Sequence, residues 1–215
     1  MKNFLLTLLV SLVAGCATAP PLHVELPEIA KSQSVTVRDE RLPIETKPEI
    51  MSYLITSDAY GIMRNGEMKI DPPLLRLLQH RVFEHSGSAA KVTVYHFVTY
   101  QNMQSQMRGA GLGAVLGPIG AVIGSLAANA EADTTVTQVD RAAFDALTGD
   151  NEWKRGTYTP TENPKKGAVY VTYVDAEVNG KRAFVRVVSP VMVSEGKVAY
   201  VEAVESSIRA LLGQV

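Results

Sequence analysis

The C-terminal part of the chain contains two long β-forming stretches that are separated by only two residues. The first reads Gly167-Ala-Val-Tyr-Val-Thr-Tyr-Val-Asp-Ala-Glu-Val178, and the second reads Lys181-Arg-Ala-Phe-Val-Arg-Val-Val188. Between them stands Asn179-Gly180, and these residue types tolerate the positive φ angles that a tight hairpin turn requires. The sequence therefore predicts a long antiparallel hairpin, around which the other elements are placed.

Two amphipathic helices and three further β-prone stretches accompany this hairpin. The helices are predicted over residues 73–85 and 197–212, because apolar residues recur there at the spacing of one helix face. β-strands are predicted over three stretches rich in β-branched and aromatic residues: 34–39, 52–63 and 91–100. A shorter helix is predicted over residues 141–147. The sum is an α+β domain whose antiparallel sheet is packed on one face by two helices.

Strict alternation within the 91–100 strand places His96 on the same side as Val92 and Val94. Phe97 then belongs to the opposite side of the sheet. Because His96 has apolar neighbours in this strand, a structural role is favoured over a role in metal binding or acid–base chemistry.

Catalytic and metal sites have no recognisable pattern in the sequence. His80 and His85 stand five residues apart, which does not place both side chains on one helix face as a spacing of four would. Arg38, Asp39 and His96 are the only candidate actors for an enzyme, and no known catalytic constellation joins them. We therefore predict no catalytic residue, no metal ligand and no cofactor.

The N-terminus has the pattern of an export signal. Met1-Lys2-Asn3 is positively charged, and the apolar run over residues 4–13 is too short to span a membrane stably. It leads into Val13-Ala14-Gly15-Cys16, which resembles the lipobox of bacterial lipoproteins. This resemblance implies that residues 1–15 are a signal peptide cleaved before Cys16. It also implies a diacylglyceryl group on the Cys16 sulfur and a further acyl chain, such as palmitate, on its nitrogen.

Cys16 is the only cysteine, and a single unpaired thiol is unusual in a protein exported to an oxidising compartment. Lipidation explains why the chain has a cysteine at this position and why this cysteine has no disulfide partner. The alternative is an ordinary signal peptide with an incidental cysteine, cleaved near Ala17-Thr18-Ala19. Because Ala17 rather than an aspartate follows Cys16, the resemblance to bacterial lipoproteins implies an outer-membrane location.

Residues 16–34 are predicted to be a lipidated, proline-rich tether, and residues 35–215 are predicted to be the folded domain. The first strand of this domain carries Val37-Arg38-Asp39-Glu40-Arg41. A Val-Arg-Asp-x-Arg strand after a lipidated tether resembles a group of uncharacterised YajG-type envelope lipoproteins. This resemblance implies an α+β domain in the cell envelope.

A segment without charge, residues 109–130, interrupts the domain after the 91–100 strand. It contains the near-repeat Gly113-Ala-Val-Leu-Gly117-Pro-Ile and Gly120-Ala-Val-Ile-Gly124-Ser-Leu, and it resembles the glycine-zipper segments of bacterial envelope proteins. Glycines four apart in a helix leave a groove against which a second helix packs closely. Pro118 near the middle favours a kinked helix or a helical hairpin, and each leg of such a hairpin is too short to cross a bilayer.

The apolar side chains of this segment would form a sizeable patch if they were exposed to water, so a contact with membrane or with another protein is predicted. The predicted contact residues belong to the small-residue stripe and its apolar border: Gly113, Leu116, Gly117, Gly120, Ile123 and Gly124. The alternatives are a flexible Gly/Ala loop and a hairpin folded over the domain's own sheet.

The chain carries 21 basic and 22 acidic residues, so it has no bulk basicity that would favour nucleic acid. Together with the lipobox, this favours a non-enzymatic outer-membrane lipoprotein, facing the periplasm, that serves as a structural or assembly component of the cell envelope. Its predicted partners are the membrane, through Cys16, and an envelope protein or further copies of the chain. The alternative is a periplasmic protein that binds a lipid or small ligand, with the glycine-rich segment as the lid of an apolar cavity.

Overall fold

The computed structural model describes residues 20–67, 70–109, 134–191 and 198–215. Its strands, in chain order, are β1 (Leu22–His23), β2 (Thr36–Asp39), β3 (Glu49–Ile50), β4 (Ile62–Asn65), β5 (Ile70–Asp71), β6 (Lys91–Asn102), β7 (Thr135–Gln138), β8 (Val169–Val178) and β9 (Lys181–Pro190). Its α-helices are α1 (Leu74–Ser86), α2 (Gln104–Gly109), α3 (Arg141–Asp145) and α4 (Ala199–Leu212). Three 3-10 helices cover Ile29–Ser34, Pro43–Thr46 and Gly149–Gly156.

The predicted hairpin is confirmed and lies inside the sheet. β8 and β9 pair along their whole length, from Val169 opposite Pro190 to Val178 opposite Lys181. The turn residue Asn179 has a φ of 51° and the following glycine has a φ of 86°. These are the left-handed backbone angles for which an Asn-Gly pair is suited.

β6 organises the other half of the sheet. It pairs with β8 along one edge, while its second edge is shared by two short strands. β2 runs parallel to the first part of β6, beginning with Thr36 opposite Lys91, and β4 runs antiparallel to the last part, with Ile62 opposite Asn102. Over the described residues the sheet order is β3-β4-β6-β8-β9-β7 with β2 beside β6. The α+β class with a mostly antiparallel sheet is therefore confirmed.

The sheet has a core on each face. Helices α1 and α4 contribute Leu77, Leu78, Val204 and Ile208 to the larger core, which they share with side chains of β6, β8 and β9. The opposite face carries a smaller aromatic cluster covered by Phe144 of α3. Its buried members come from the strands and from α3: Val98, Tyr100, Phe144, Val169, Val171, Tyr173, Phe184 and Val188. Burial of these side chains is the main source of stability for both faces.

A β-bulge in β6 changes which side chains face the helices. The pairing with β8 is regular up to Val94, and the register shifts before His96. Because Tyr95 is the extra residue, Phe97 joins Val94 in the core beneath α1 and α4. His96 instead contacts Phe144 on the opposite face. The strict alternation predicted for this strand is therefore wrong beyond Val94.

The stretch 52–63 is mostly a loop, so the strand predicted there is wrong over all but its last residues, where β4 begins. The Ser52 hydroxyl accepts a hydrogen bond from the Leu54 amide at 3.1 Å, and the Ser57 carbonyl oxygen accepts one from the Tyr60 amide at 3.1 Å. Such local bonds offer the backbone an alternative to strand pairing. They outweigh the β propensity of the side chains.

The segment that the sequence assigns to the tether is packed against the domain from residue 20 onward. β1 pairs in parallel with β5, and the Ile29–Ser34 helix lies against α1. There the Arg76 guanidinium donates a hydrogen bond to the Ser32 hydroxyl at 2.8 Å. The structure differs here from an extended tether because apolar side chains of residues 20–34 add to the larger core. Residues 16–19 lie outside the described residues.

The strand register defines two ends of the sheet. At the first, Asn102 at the end of β6 stands opposite Val169 at the start of β8. We call this the exit end, because the chain leaves it through α2 and returns in β7, where Thr135 stands opposite Val188 near the end of β9. The hairpin end carries the Asn179-Gly180 turn. The predicted glycine-rich helical hairpin lies outside the described residues.

Candidate functional site

The site residues predicted from the sequence lie outside the described part of the chain. They are the lipidation site and the contact residues of the glycine-rich segment: Cys16, Gly113, Leu116, Gly117, Gly120, Ile123 and Gly124. Their roles in lipidation and in membrane or oligomer contact stay predictions. The described residues instead reveal where the chemically active side chains of the domain lie.

The structure does not bring together the three candidate catalytic residues, Arg38, Asp39 and His96. Asp39 lies on the same side of β2 as Val37, which packs against the larger core. His96 points to the opposite face of the sheet, and Arg38 is largely exposed and pairs with Glu40. These three side chains therefore do not surround a common substrate position.

His96 sits between two carboxylates on the aromatic face of the sheet. Its Nδ1 lies 2.6 Å from Oε1 of Glu45, and its Nε2 lies 3.7 Å from Oδ1 of Asp145. Phe144 and Phe184 flank the imidazole at centroid distances of 4.8 and 5.6 Å. The Glu45 side chain is 1% exposed and the His96 side chain 14% exposed, so this pair is shielded from water.

An imidazole held by carboxylates is capable of proton transfer when a substrate or nucleophile reaches its free nitrogen. Glu45 engages Nδ1 of His96, whereas Nε2 lies 3.7 Å from Asp145, beyond hydrogen-bond distance, and among the described residues neither nitrogen contacts a hydroxyl or a thiol. The hydrogen bond with Glu45 instead holds the Pro43–Thr46 turn on the sheet, and Phe144 of α3 packs against the imidazole. Within the described ranges, moreover, no three His, Cys, Asp or Glu side chains are grouped so that they would hold a metal ion.

Asp175 lies beside this histidine and is the most completely enclosed carboxylate of the aromatic face. Its side chain is 0% exposed and accepts hydrogen bonds from Arg182 at 2.9 and 2.7 Å and from Arg141 at 3.0 and 3.3 Å. Burial alone would raise the pKa of Asp175, but the hydrogen bonds and charges of the two guanidinium groups outweigh it and lower the pKa. The cluster joins α3 to the hairpin.

The sequence did contain a signal for this cluster. Asp175 lies within a largely apolar β run that also holds Thr172 and Glu177, and a charged residue in such a run is buried only when a partner neutralises it. Across the hairpin turn, the register places Arg182 opposite Glu177 and diagonally from Asp175 on the same face, which brings Arg182 within reach of Asp175. Arg141 lies far away in the sequence, and no local pattern connects it to Asp175.

A second buried charge, Arg64 in β4, ties three segments together. Its Nη2 lies 2.5 Å from Glu49, its Nη1 donates to Glu152, and its Nε donates to the Lys47 carbonyl oxygen at 2.9 Å. Burial alone would lower the pKa of Arg64, but the hydrogen bond and charges of the two glutamates outweigh it and raise the pKa. The Tyr100 hydroxyl donates to Glu152 at 2.9 Å, and burial raises the pKa of Tyr100. This cluster, too, holds loops onto the sheet.

An open groove of about 750 Å³ lies between β2, β5 and the start of α1. Its apolar lining comes from five side chains: Pro21, Val37, Ile70, Pro73 and Leu75. Arg41 lines its polar part and lies 2.9 Å from Asp39 and 3.1 Å from Glu67. The hydrogen bond from Arg41 lowers the pKa of Asp39. The groove thus combines apolar walls with a guanidinium group that pairs with two carboxylates.

Comparisons with protein-family models, with curated protein sequences and with solved structures give no match. In the part of the chain that the structure describes, no helix has the length and apolar character needed to cross a bilayer.

Proposed function

We propose that this chain is a non-enzymatic bacterial lipoprotein of the outer membrane, anchored through Cys16, that acts as a structural or assembly component of the cell envelope. The observation that carries the proposal is the sequence Val13-Ala14-Gly15-Cys16 at the end of an apolar signal. Two or more acyl chains are needed for durable anchoring, and a lipidated N-terminal cysteine supplies them. The domain then serves to contact partners rather than to transform a substrate.

The charge clusters of the domain support a non-enzymatic role. Arg64, Asp175 and His96 each contact oppositely charged or polar partners that come from separate segments. Their contacts fix the positions of α3 and of the surrounding loops on the sheet. Catalytic groups, by contrast, need an open position next to the atom that they attack or protonate.

The packing of residues 20–34 places the domain close to the membrane in this proposal. If Cys16 carries the lipid, only four peptide links separate it from Pro20, where the described chain begins. A fully extended chain covers at most about 3.6 Å per residue, so the segment from Cys16 to Pro20 spans at most about 14 Å. The domain is thus held beside the lipid surface.

The first test is the intact mass of the mature protein purified from membranes. We expect a chain that begins at Cys16 and carries about three acyl chains, because a thioether-linked diacylglycerol and an amide-linked chain together supply that number. An unmodified chain beginning after Cys16 would remove the anchor and with it the proposed location.

A second candidate function, binding of a lipid or small ligand, is favoured by the groove beside β2. Its volume of about 750 Å³ lies within the range of ligand sites, and its lining mixes apolar with polar groups. The space between the sheet and helices α1 and α4 is instead filled by the larger core. Native mass spectrometry of the same preparation separates the two functions, because a stoichiometric co-purified small molecule belongs only to this second one.

Self-association through the glycine-rich segment is tested by adding bulk to its small-residue stripe. The double variant Gly117→Leu and Gly120→Leu is expected to abolish crosslinked oligomers of the membrane-bound protein, since leucine would fill the groove that close helix packing requires. The matched control is Ala114→Leu with Ala121→Leu, which adds comparable bulk beside the stripe. Crosslinking in intact envelopes measures the outcome. Oligomers that survive in the glycine variant would show that the stripe is not the contact.

A further inference from the structure

The loop between β3 and β4 presents three consecutive large apolar side chains to solvent. Tyr53 is 83% exposed, Leu54 is 69% exposed and Ile55 is 50% exposed. Consecutive exposed apolar side chains of this size on one loop are typical of a contact site rather than of ordinary surface. Ser52 and Ser57 lie on either side of these three residues, and both serines accept hydrogen bonds that form turns.

The loop is held in this conformation by its own hydrogen bonds. The Ser52 hydroxyl accepts from the Leu54 amide at 3.1 Å, and the Leu54 carbonyl oxygen accepts from the Ser57 amide at 3.2 Å. At its base, Ala59 and Tyr60 are buried in the domain. The base of the loop is therefore packed against the domain, while its apolar tip points into solvent.

The tip lies at the exit end of the sheet. β4 begins there with Ile62 opposite Asn102, and the Met103 amide donates to the Gly61 carbonyl oxygen at 2.8 Å. Helix α2 continues from this point and contacts the loop through a hydrogen bond from the Gln104 side chain to the Asp58 carbonyl oxygen. The uncharged stretch over residues 109–130 begins at the last residue of that helix.

Positive charge is exposed at the same end. Lys165 and Lys166 are exposed and lie in the turn before β8, where the Ala168 carbonyl oxygen accepts a hydrogen bond from the Val191 amide. Lysines near an anionic bilayer surface are attracted to its headgroups, and tyrosine is enriched where hydrocarbon meets water. The apolar tip of the loop, which includes Tyr53, and the two lysines are side chains of the kinds that bind a lipid surface.

From this juxtaposition we propose that the exit end of the sheet rests on the bilayer, with Tyr53, Leu54 and Ile55 inserted at the level of the headgroups and Lys165 and Lys166 facing anionic lipid. The inference rests on the proposed lipid anchor, which keeps the domain within reach of the membrane. It adds a second, protein-borne contact that orients the domain. With this loop inserted, the hairpin end, at the opposite end of the sheet, faces away from the lipid.

The test uses the full lipidated protein in vesicles of phosphatidylethanolamine and phosphatidylglycerol. Because the Cys16 thiol is consumed by the lipid, Leu54→Cys introduces the only free thiol, which is then labelled with a polarity-sensitive fluorophore. The control is Lys181→Cys, an exposed position at the hairpin end. We expect the label at position 54 to shift to shorter wavelength and to lose most of its emission to nitroxide-bearing lipids, and the label at position 181 to do neither.

Each other outcome overturns the inference and identifies what fails. If the protein floats with the vesicles but the label at position 54 stays water-exposed, the anchor stands and the second contact is wrong. A label at position 54 that shifts without quenching is covered by protein, either the glycine-rich segment or a second copy, and this also contradicts a lipid contact. A protein that does not associate with vesicles contradicts both the anchor and the inserted loop.

Discussion

Replacing Asp175 by alanine is expected to lower the free energy of unfolding by about 3 kcal/mol, the lower end of the cost of breaking a buried ion pair. The carboxylate is enclosed, so its loss leaves Arg141 and Arg182 without their shared acceptor. The cost stays at the lower end because both guanidinium groups are partly exposed and recover some hydration from water. Denaturant unfolding of the purified protein at neutral pH measures the difference.

The matched control for this change is Glu25→Ala, which removes a carboxylate from an exposed position and is expected to change stability by less than about 0.5 kcal/mol. The pH dependence provides an independent check. Since the folded state lowers the pKa of Asp175, its charge stabilises the fold above its unfolded pKa of about 3.9, and this contribution is lost as the pH falls through the lower folded value. The gap between wild type and Asp175→Ala should therefore be constant near neutrality and narrow below pH ~4. A gap that is equal at every pH would mean that packing, not charge, sets the cost.

Local patterns in the sequence predicted the parts of the fold that depend on neighbours in the chain. The Asn179-Gly180 turn fixed the central hairpin, and the helical spacing of apolar residues located α1 and α4 to within two residues at each end. These elements were predictable because each depends on hydrogen bonds and apolar periodicity within a short stretch.

The features that the sequence did not predict depend on tertiary context. The bulge at Tyr95 requires a partner strand against which one residue is left unpaired, and no residue type marks it. The Arg64 cluster joins residues far apart in the sequence, so only the folded chain reveals it. The strand predicted over residues 52–63 is wrong because the side chains around Tyr53 favour strands while Ser52 and Ser57 form turns. Each exception results from a contact that the chain makes with distant residues or with its own polar side chains.

The bulge makes Phe97→Ala a strongly destabilising change. Phe97 is fully buried in the core beneath α1 and α4, and removal of a buried phenylalanine side chain costs about 3–5 kcal/mol. Tyr95, which strict alternation would place on the same face as Phe97, is only partly buried and has the Arg182 guanidinium 3.5 Å from its ring centroid. Tyr95→Ala is therefore expected to cost only about 1 kcal/mol, the loss of a cation–π contact near the surface.

The contrast between these two variants tests the register of β6 directly, and equilibrium unfolding in denaturant measures it. Without the bulge, Tyr95 and Phe97 would share one face, and their replacement would have comparable costs. A third variant, His96→Ala, tests the same register. It should weaken the attachment of α3 to the sheet, because His96 lies near Glu45 and the α3 residue Asp145 on the aromatic face. Near-equal costs for Tyr95→Ala and Phe97→Ala would contradict the bulge. They would also put His96 back on the helix side, where the contacts that hold α3 and the Pro43–Thr46 turn would not exist.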